Sequence, residues 1–290
     1  PINYSVVTNI DNEHLDFYKT YQNLIEAFIK FIEKTPPIGK AIVCLDDPEI
    51  KKILTKIKNK NYLTYGFNKK SNYQIINTNY QLTSSSFDLK IQKYGSKKKI
   101  IKNIVLNLIG EHNILNATAA IAVCLNLGVN ETAFKKALKN FSGVQRRLTK
   151  IFLKKGREFY DDYAHHPTEI KAVLSGLKQV YKKRKLISVF QPHRYSRVMN
   201  LKKEFSSSFI MSDSVILCPI YAAGEKKDLR YSQENFAKLI SKNSNTQVII
   251  IKNEIELRKY LKKNLISNEI ILGMGAGTIS KWMKELKEFL

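Results

Sequence analysis

The ten residues Tyr160–Glu169, YDDYAHHPTE, decide how the second half of the chain folds. The apolar residues before them have strand character, and Pro167 suits the first turn of a helix whose apolar residues recur at three- and four-residue spacing. The polar cluster therefore falls on a strand-to-helix turn. In an open α/β sheet such turns lie where ligands bind, beside helix N-termini. Two carboxylates and two imidazoles in one turn predict a functional site, and a solvated, capped turn is the structural alternative.

Around this stretch the chain alternates regularly between strands and helices. From about residue 145 onward, we expect strands at 148–153, 158–160, 185–190, 214–218, 247–251 and 269–272. Polar or glycine-rich turns follow most of these strands. The pattern predicts an α/β fold with a doubly wound parallel sheet. The turn Gly273–Thr278 would let a backbone approach a phosphate, although a bare glycine loop is weak support for such a site.

The first half of the chain has a different texture. A strand at 4–10 leads through a polar turn into one long helix that ends before Pro36, and strands follow at 41–45 and 62–67. From Tyr73 to Leu108, short runs interrupted by Tyr94–Ser96 predict antiparallel strands, and a helix rich in small residues follows Gly110. We place the domain boundary at about residue 145, which gives domains 1–144 and 145–290.

Composition limits the classes of protein. With 290 residues and 43% hydrophobic content, the chain can form two domains, and no apolar run approaches the length of a membrane span, so we expect a cytoplasmic protein. The net charge of +24 allows a basic nucleic-acid-binding module as an alternative. Only eight of the 49 basic residues are Arg, however, and Lys is scattered throughout. An Arg in such a chain is expected where planar, two-pronged contact with phosphate or carboxylate is needed.

The rare side chains are concentrated in short motifs. Four of the eight Arg lie in the segments 146–147 and 194–197, and all five His lie in motif-like stretches. His14 follows the first strand, where it is either a structural histidine or a neighbour of a phosphate or metal. Asn113 and Asn116 are three residues apart on a predicted helix, so they share one face. They either cap that helix or present two amides to a nucleotide base.

Taken together, several segments resemble the Mur ligase family. They are Thr8–Asp11 with His14–Asp16, Gly110–Ala120, Gly143–Arg147, Asp161–Glu169, Phe190–Arg197, Tyr221–Glu225 and Gly275–Gly277. The resemblance implies a C-terminal Rossmann-like doubly wound sheet, on the amino-acid side of the enzyme, preceded by the later part of a central ATPase domain. The family's phosphate loop, its following acidic metal ligands and its UDP-binding domain have no counterpart in these 290 residues. We therefore expect an incomplete, inactive portion of a longer enzyme.

The resemblance also implies a reaction. The branch of the Mur ligase family that these motifs resemble uses ATP and Mg²⁺ to join L-alanine to UDP-N-acetylmuramate through an acyl phosphate, during synthesis of peptidoglycan precursors. A murein-peptide recycling ligase of the same family, which takes a peptide as the amine, is the nearest alternative. The basic nucleic-acid-binding module remains a second alternative.

By the same resemblance, individual residues acquire expected roles. His14 is expected near the γ-phosphate and its metal. Asn113 and Asn116 are expected to hold adenine, Arg147 the phosphates or ribose, and Asp162 the ribose hydroxyls. The remaining candidates are expected where the muramoyl carboxylate and alanine meet: His165, His166, His193, Arg194 and Arg197.

Overall fold

The computed structural model describes residues 3–92 and 98–290, and the predicted break at Tyr94–Ser96 falls outside them. The chain forms two compact units, Pro1–Ser142 and Gly143–Leu290, whereas the sequence places the boundary at about 145. Each unit contains one six-stranded sheet, and the predicted α/β class is confirmed. The roles expected of the two domains stay predictions. Among the described residues, no helix combines the length and apolarity needed to cross a bilayer.

The sheet of the first unit is parallel on one side and antiparallel on the other. Its strands are β1 (Tyr4–Val7), β2 (Lys40–Cys44), β3 (Tyr62–Gly66), β4 (Tyr73–Tyr80), β5 (Ser85–Ile91) and β6 (Lys99–Leu106). They lie in chain order, with β1 to β4 parallel and β4 to β6 antiparallel. The antiparallel strands predicted between residues 73 and 108 are therefore present.

The helices of the first unit correct one prediction. They are α1 (Leu15–Tyr18), α2 (Tyr21–Glu33), α3 (Pro48–Leu54), α4 (Glu111–Asn126) and α5 (Glu131–Asn140). The single long helix expected after β1 is broken, because Lys19 adopts φ 67° and Thr20 is extended. The Thr20 hydroxyl accepts a 3.1 Å hydrogen bond from the N–H of Asn23 and so starts α2. The apolar spacing continues across this break and conceals it.

The sheet of the second unit has the predicted doubly wound character. Its strands are β7 (Thr149–Lys154), β8 (Arg157–Asp162), β9 (Leu186–Phe190), β10 (Ser214–Leu217), β11 (Gln247–Ile250) and β12 (Ile270–Met274). Their order is β11-β10-β9-β12-β8-β7, and only the edge strand β7 is antiparallel to its neighbour. The last strand, β12, thus lies between β8 and β9. The carboxyl ends of these three strands adjoin, so that the turns after them meet.

The helices of the second unit follow the predicted alternation. They are α6 (Pro167–Val180), α7 (Tyr195–Asn200), α8 (Lys202–Ser206), α9 (Gln233–Ser244), α10 (Glu254–Asn264) and α11 (Ile279–Phe289). The one helix expected between residue 197 and Met211 is instead divided into α7 and α8 at Leu201. Buried residues of α11, among them Ile279 and Met283, belong to a core that includes Phe159 of β8 and Ile271 of β12. This core fixes the N-terminus of α11 beside the strand ends.

A buried ion cluster lies toward the amino end of β8. The Glu158 carboxylate accepts hydrogen bonds from the hydroxyls of Tyr160 (2.8 Å) and Tyr181 (3.0 Å), and it pairs with Lys150 (2.8 Å) and Arg184. Burial by itself raises the pKa of Glu158, but these donors outweigh it and lower the pKa to about 2. The cluster ties β8 to β7 and to the segment after α6.

Candidate active site

The turn after β8 is anchored by Asp162. Its side chain is 1% exposed, and its two oxygens accept hydrogen bonds from the backbone N–H groups of Leu148 (2.6 Å) and Ala164 (2.7 Å). Burial raises the pKa of Asp162 to about 6, against the opposing effect of these two bonds and of the nearby Arg147. The observed bonds give Asp162 a structural role in holding the turn, and the expected contact with ribose stays a prediction.

His166 caps helix α6. Its Nδ1 accepts a 3.4 Å hydrogen bond from the N–H of Thr168, and the Glu169 carboxylate accepts from the N–H groups of His166 (3.2 Å) and His165 (3.0 Å). This reciprocal arrangement is a capping box in which a histidine takes the usual place of Ser or Thr. His166 is also buried. The geometry therefore assigns it a local structural role, and its expected place in catalysis stays a prediction.

His165, in contrast, faces other candidate residues. Its Nδ1 lies 2.9 Å from the carbonyl oxygen of Tyr163, which can only accept, so this nitrogen carries the proton. Its ring meets the ring of Tyr163 edge to face at 5.1 Å and that of His193 at 5.7 Å. Glu169 Oε1 also receives a 3.1 Å bond from Arg147. The structure thus brings His165, His193 and Arg147 to neighbouring positions around one turn.

Arg146 was not selected from the sequence, yet it has more contacts within the unit than Arg147. Its Nη2 donates a 2.5 Å hydrogen bond to the carbonyl of Gly275, and its Nε lies 3.5 Å from the buried carboxylate of Asp161. Its guanidinium covers the ring of Tyr163 at 4.7 Å. The Ser280 hydroxyl donates to the same Asp161 carboxylate at 2.6 Å. Arg146 therefore links the turns after β8 and β12, and its adjacency to Arg147 in an Arg-poor chain was the available signal.

The turn after β9 holds an imidazole in its neutral form. Nη1 of Arg197 lies 3.0 Å from Nδ1 of His193, and because a guanidinium can only donate, Nδ1 accepts and the proton sits on Nε2. Burial, followed by the charges of Arg197, His165 and Arg194, lowers the pKa of His193 to about 4. Positive charge at this strand end therefore comes from the arginines at neutral pH.

The segment Tyr221–Glu225 reaches the same place from the end of β10. The Tyr221 ring is nearly parallel to that of His193, with centroids 5.6 Å apart and 16° between the planes. The backbones also pair, because Arg194 N–H donates to the Tyr221 carbonyl at 2.9 Å. Glu225 accepts from the Ser196 N–H at 3.1 Å and from its hydroxyl at 2.5 Å, which ties the start of α7 to this segment.

The glycine-rich turn after β12 does not present an open loop. A Cβ at Gly277 would lie 2.5 Å from Oε1 of Gln191 and 2.6 Å from Cγ of Tyr221. The first N–H of α11, that of Ile279, already donates to Gln191 Oε1 at 3.0 Å. The glycines therefore make room for Gln191 and Tyr221, and the sequence-based idea of a phosphate approaching this loop gains no support from the geometry.

Three candidates belong to the first unit. His14 is exposed, adopts φ 58° and precedes α1 without a capping side-chain bond. Asn113 Nδ2 donates to the carbonyl of Ile109 at 2.8 Å, and Asn116 is exposed one turn further along α4. Within residues 3–92 and 98–290, no group of three or more His, Cys, Asp or Glu side chains is arranged to hold a metal ion. The expected metal role of His14 stays a prediction.

Comparison with known proteins identifies the family. The Mur ligase middle domain matches residues 1–124, and the Mur ligase glutamate ligase domain matches residues 146–277. The chain belongs to the Mur ligase family. The UDP-N-acetylmuramate–L-alanine ligase of Pelagibacter ubique is 51% identical over 290 residues, which are 100% of this chain and 62% of that relative. The chain therefore spans less than two thirds of this Mur ligase.

Solved Mur ligase structures share the fold. The UDP-N-acetylmuramate-alanine ligase of Thermotoga maritima superposes with a TM-score of 0.74 at 24% identity, over 99% of this chain and 59% of that one. A MurF ligase from the same organism, solved in complex with ADP, gives a TM-score of 0.73 at 18% identity, over 99% and 63%. Both comparisons confirm the α/β fold class expected from the resemblance.

Proposed function

We propose that this chain is part of an ATP-dependent amide ligase that joins L-alanine to UDP-N-acetylmuramate. The observation that carries the proposal is the 51% identity with the Pelagibacter UDP-N-acetylmuramate–L-alanine ligase along the whole chain. In such a reaction, a carboxylate oxygen of the muramoyl group attacks the γ-phosphorus of ATP, and ADP leaves. The alanine amine then attacks the acyl carbon, inorganic phosphate leaves, and the amine loses a proton.

The cluster at the carboxyl ends of β8, β9 and β12 supports this chemistry. In this proposal, Arg194 and Arg197 are the planar cations that hold the carboxylate of the sugar or of alanine. His193 is neutral at pH 7 and its Nδ1 is engaged by Arg197, so it orients that guanidinium and adds no charge of its own. His165 lies edge-on to His193 and completes the same surface. We assign these four residues to the acyl and amine side of the reaction.

We assign the contact with adenine to Asn113 and Asn116 of the first unit. Because Nδ2 of Asn113 is held by the Ile109 carbonyl, the amide presents its Oδ1 as an acceptor, which suits the exocyclic amino group of adenine. Asn116 shares the same helix face and is exposed. Bound ATP would supply the phosphoryl group that activates the carboxylate. For the divalent ion, the described residues offer no set of three ligands, so we derive no step through a metal.

The proposal is tested by measuring alanine-dependent phosphate release by the protein that the longest reading frame containing this chain encodes, called the longer protein below. With ATP, magnesium, UDP-N-acetylmuramate and L-alanine present, the parent protein should release phosphate. Loss of the guanidinium in Arg197→Ala should reduce kcat/KM at least about a hundredfold, which is the usual effect of removing one electrostatic contact to the reacting group. Arg230→Ala is the matched control, since Arg230 is exposed and pairs only locally with Asp228.

Parallel assays with different amine substrates separate this proposal from its alternatives. Release that requires a tripeptide in place of L-alanine would identify a murein-peptide ligase. Phosphate release with neither amine would contradict an amide ligase altogether. Membership of the Mur ligase family argues against the basic nucleic-acid-binding module. The cytoplasmic location and the inactivity expected of these 290 residues by themselves stay predictions.

A further inference from the structure

Gln191, the first residue after β9, is almost completely buried at the edge where the candidate site lies, with 3% of its surface exposed. Its backbone N–H donates to the carbonyl of Met274 at 2.9 Å, which extends the pairing of β9 with β12. Its side-chain Nε2 donates to the hydroxyl of Thr278 at 3.0 Å, and its Oε1 accepts from the N–H of Ile279 at 3.0 Å. Every polar atom of the amide is therefore engaged.

These bonds replace an ordinary helix cap. Thr278 stands at the N-cap of α11, but its own side chain makes no capping bond to the helix backbone. The first backbone N–H of α11, that of Ile279, instead donates to Oε1 of Gln191, a residue 88 positions earlier in the chain. Gln191 thus fixes where α11 begins relative to the end of β9.

The side chain of Gln191 also fills the space beside Gly277. A methyl group at Gly277 would lie 2.5 Å from Gln191 Oε1, and 2.6 and 2.8 Å from Cγ and Cβ of Tyr221. Gln191, Gly277 and Tyr221 are therefore packed against one another with no room for a further carbon atom. Gly275 also lies close to Gln191, because a Cβ added at Gly275 would meet the Gln191 carbonyl at 2.7 Å. Gln191 and Tyr221 therefore approach the Gly277 backbone together in a turn that has little spare room.

Tyr221 in turn covers His193. The two rings are nearly parallel, and the Tyr221 N–H donates to the carbonyl of Pro192 at 2.8 Å. We propose that Gln191 is a positioning residue, which sets the His193 imidazole by capping α11 and by supporting Tyr221 through Gly277. The importance of His193 rests on the proposed function, but the positioning itself can be measured without any activity.

The measurement is a titration of the His193 ring by NMR in this 290-residue chain. Burial, Arg197, His165 and Arg194 hold the pKa of His193 at about 4, and Glu225 acts in the opposite direction. If Gln191 supports Tyr221, then Gln191→Leu and Gly277→Ala should move Tyr221 off the ring and admit water. We expect the pKa of His193 to rise by about one unit or more toward its ordinary value of about 6.5 in both variants.

Two further variants make the result decisive. Tyr221→Leu removes the covering ring directly and should raise the pKa of His193 in the same direction. Gly156→Ala strains a backbone at φ +74° in the same unit, where the new methyl would come no closer than 3.7 Å to Asn268 N, so it controls for a general loss of stability and should leave the pKa of His193 unchanged. An unchanged pKa in folded Gln191→Leu, beside a raised one in Tyr221→Leu, would overturn the proposal.

Gln191→Glu covers the case in which the leucine and alanine variants do not fold. The Glu carboxylate can accept from Ile279 N–H and from the Thr278 hydroxyl, and a negative charge suits a helix N-terminus. In the longer protein, Gln191→Glu should keep kcat within about threefold of the parent, whereas Gln191→Met, of similar length but without polar atoms, should lower kcat at least tenfold with little change in the KM for ATP. Equal kcat values for the glutamate and methionine variants would also overturn the proposal. If the parent itself releases no phosphate, the ligase assignment fails, and the His193 titration still decides the role of Gln191.

Discussion

The carboxylate of Asp162 lies 2.6 Å from the backbone nitrogen of Leu148, a residue with φ 48° at the start of the second unit. Because of this bond and its counterpart to the N–H of Ala164, the side chain expected to bind ribose already accepts two backbone hydrogen bonds, one from the residue before β7 and one from its own turn. Each carboxylate oxygen of Asp162 has a second lone pair and could also accept a hydrogen bond from a ribose hydroxyl. The ribose would have to reach a residue that is only 1% exposed.

A first prediction separates the two roles of Asp162. Because Nδ2 of an asparagine cannot accept an N–H, Asp162→Asn should lose one backbone bond and about 1–3 kcal/mol of unfolding free energy. In the longer protein, a ribose contact would also make 2′-deoxy-ATP a poorer substrate than ATP for the parent but scarcely poorer than ATP for the variant. Equal discrimination by both would leave Asp162 with the anchoring role only.

The pH dependence of the same variant provides an independent check. The pKa of Asp162 is about 6 in the folded chain, above the value of about 3.9 for an exposed Asp, so its ionisation opposes folding. The contribution of Asp162 to the free energy of unfolding is therefore full below pH 4 and declines as the pH rises through 6. Urea unfolding of parent and Asp162→Asn between pH 4 and 7 should show this decline only in the parent.

A second prediction concerns Arg147, an exposed residue whose Nη1 lies 3.1 Å from the partly buried Glu169. Such a pair contributes less than about 1 kcal/mol to stability, so Arg147→Lys should leave the unfolding free energy nearly unchanged. If Arg147 also holds a nucleotide phosphate or ribose in two-pronged geometry, the longer protein should lose roughly 1.5–3 kcal/mol of ATP binding. ATP affinity and turnover equal to the parent would remove Arg147 from the site.

A third prediction concerns Glu158, whose buried carboxylate has four partners. Glu158→Gln leaves Arg184 without its anion and should cost about 3–5 kcal/mol. Since the folded pKa is about 2 and the unfolded value is about 4.3, the stabilisation is present above pH 4.3 and is lost as the pH falls toward 2. Denaturant titrations at pH 3 and 6 should show a smaller difference in unfolding free energy between the two pH values for the variant than for the parent. Glu288→Gln, at an exposed position of the same unit, serves as the control.

A fourth prediction tests the adenine contact in the first unit. Asn116→Ala changes an exposed side chain on α4 and should not alter thermal unfolding. In the longer protein, Asn116→Ala should weaken the binding of ATP but not that of GTP, because guanine presents a different base edge. The preference for ATP over GTP should therefore fall about tenfold. Asn59→Ala, another exposed amide of the same unit, should preserve that discrimination. A variant that discriminates as the parent does would contradict the assignment of Asn116 to adenine.

The local sequence pattern predicted much of the structure of this protein. Apolar periodicity, proline and polar turns predicted the α/β class, the order of the strands and helices, and the segments that hold the candidate residues, because these features depend on neighbours a few positions apart. The capping of α6 was also partly visible, since Pro167 and Glu169 stand where a helix start needs them. The motif strings between residues 8 and 277 were enough to indicate the family.

Only the tertiary structure placed β12 between β8 and β9, and that placement decides which side chains meet. Arg146 reaches a carbonyl 129 residues away, and Gln191 caps a helix 88 residues further along the chain. Neither contact is visible in the spacing of residues along the chain, because each depends on the packing of distant strand ends. The Gln191 contact depends also on the absence of a Cβ at Gly277. The sequence therefore determined which residues are available for chemistry, whereas the close packing of distant segments decided that Gln191 occupies the glycine turn, that His166 serves as a cap, and that His193 is held neutral beside Arg197.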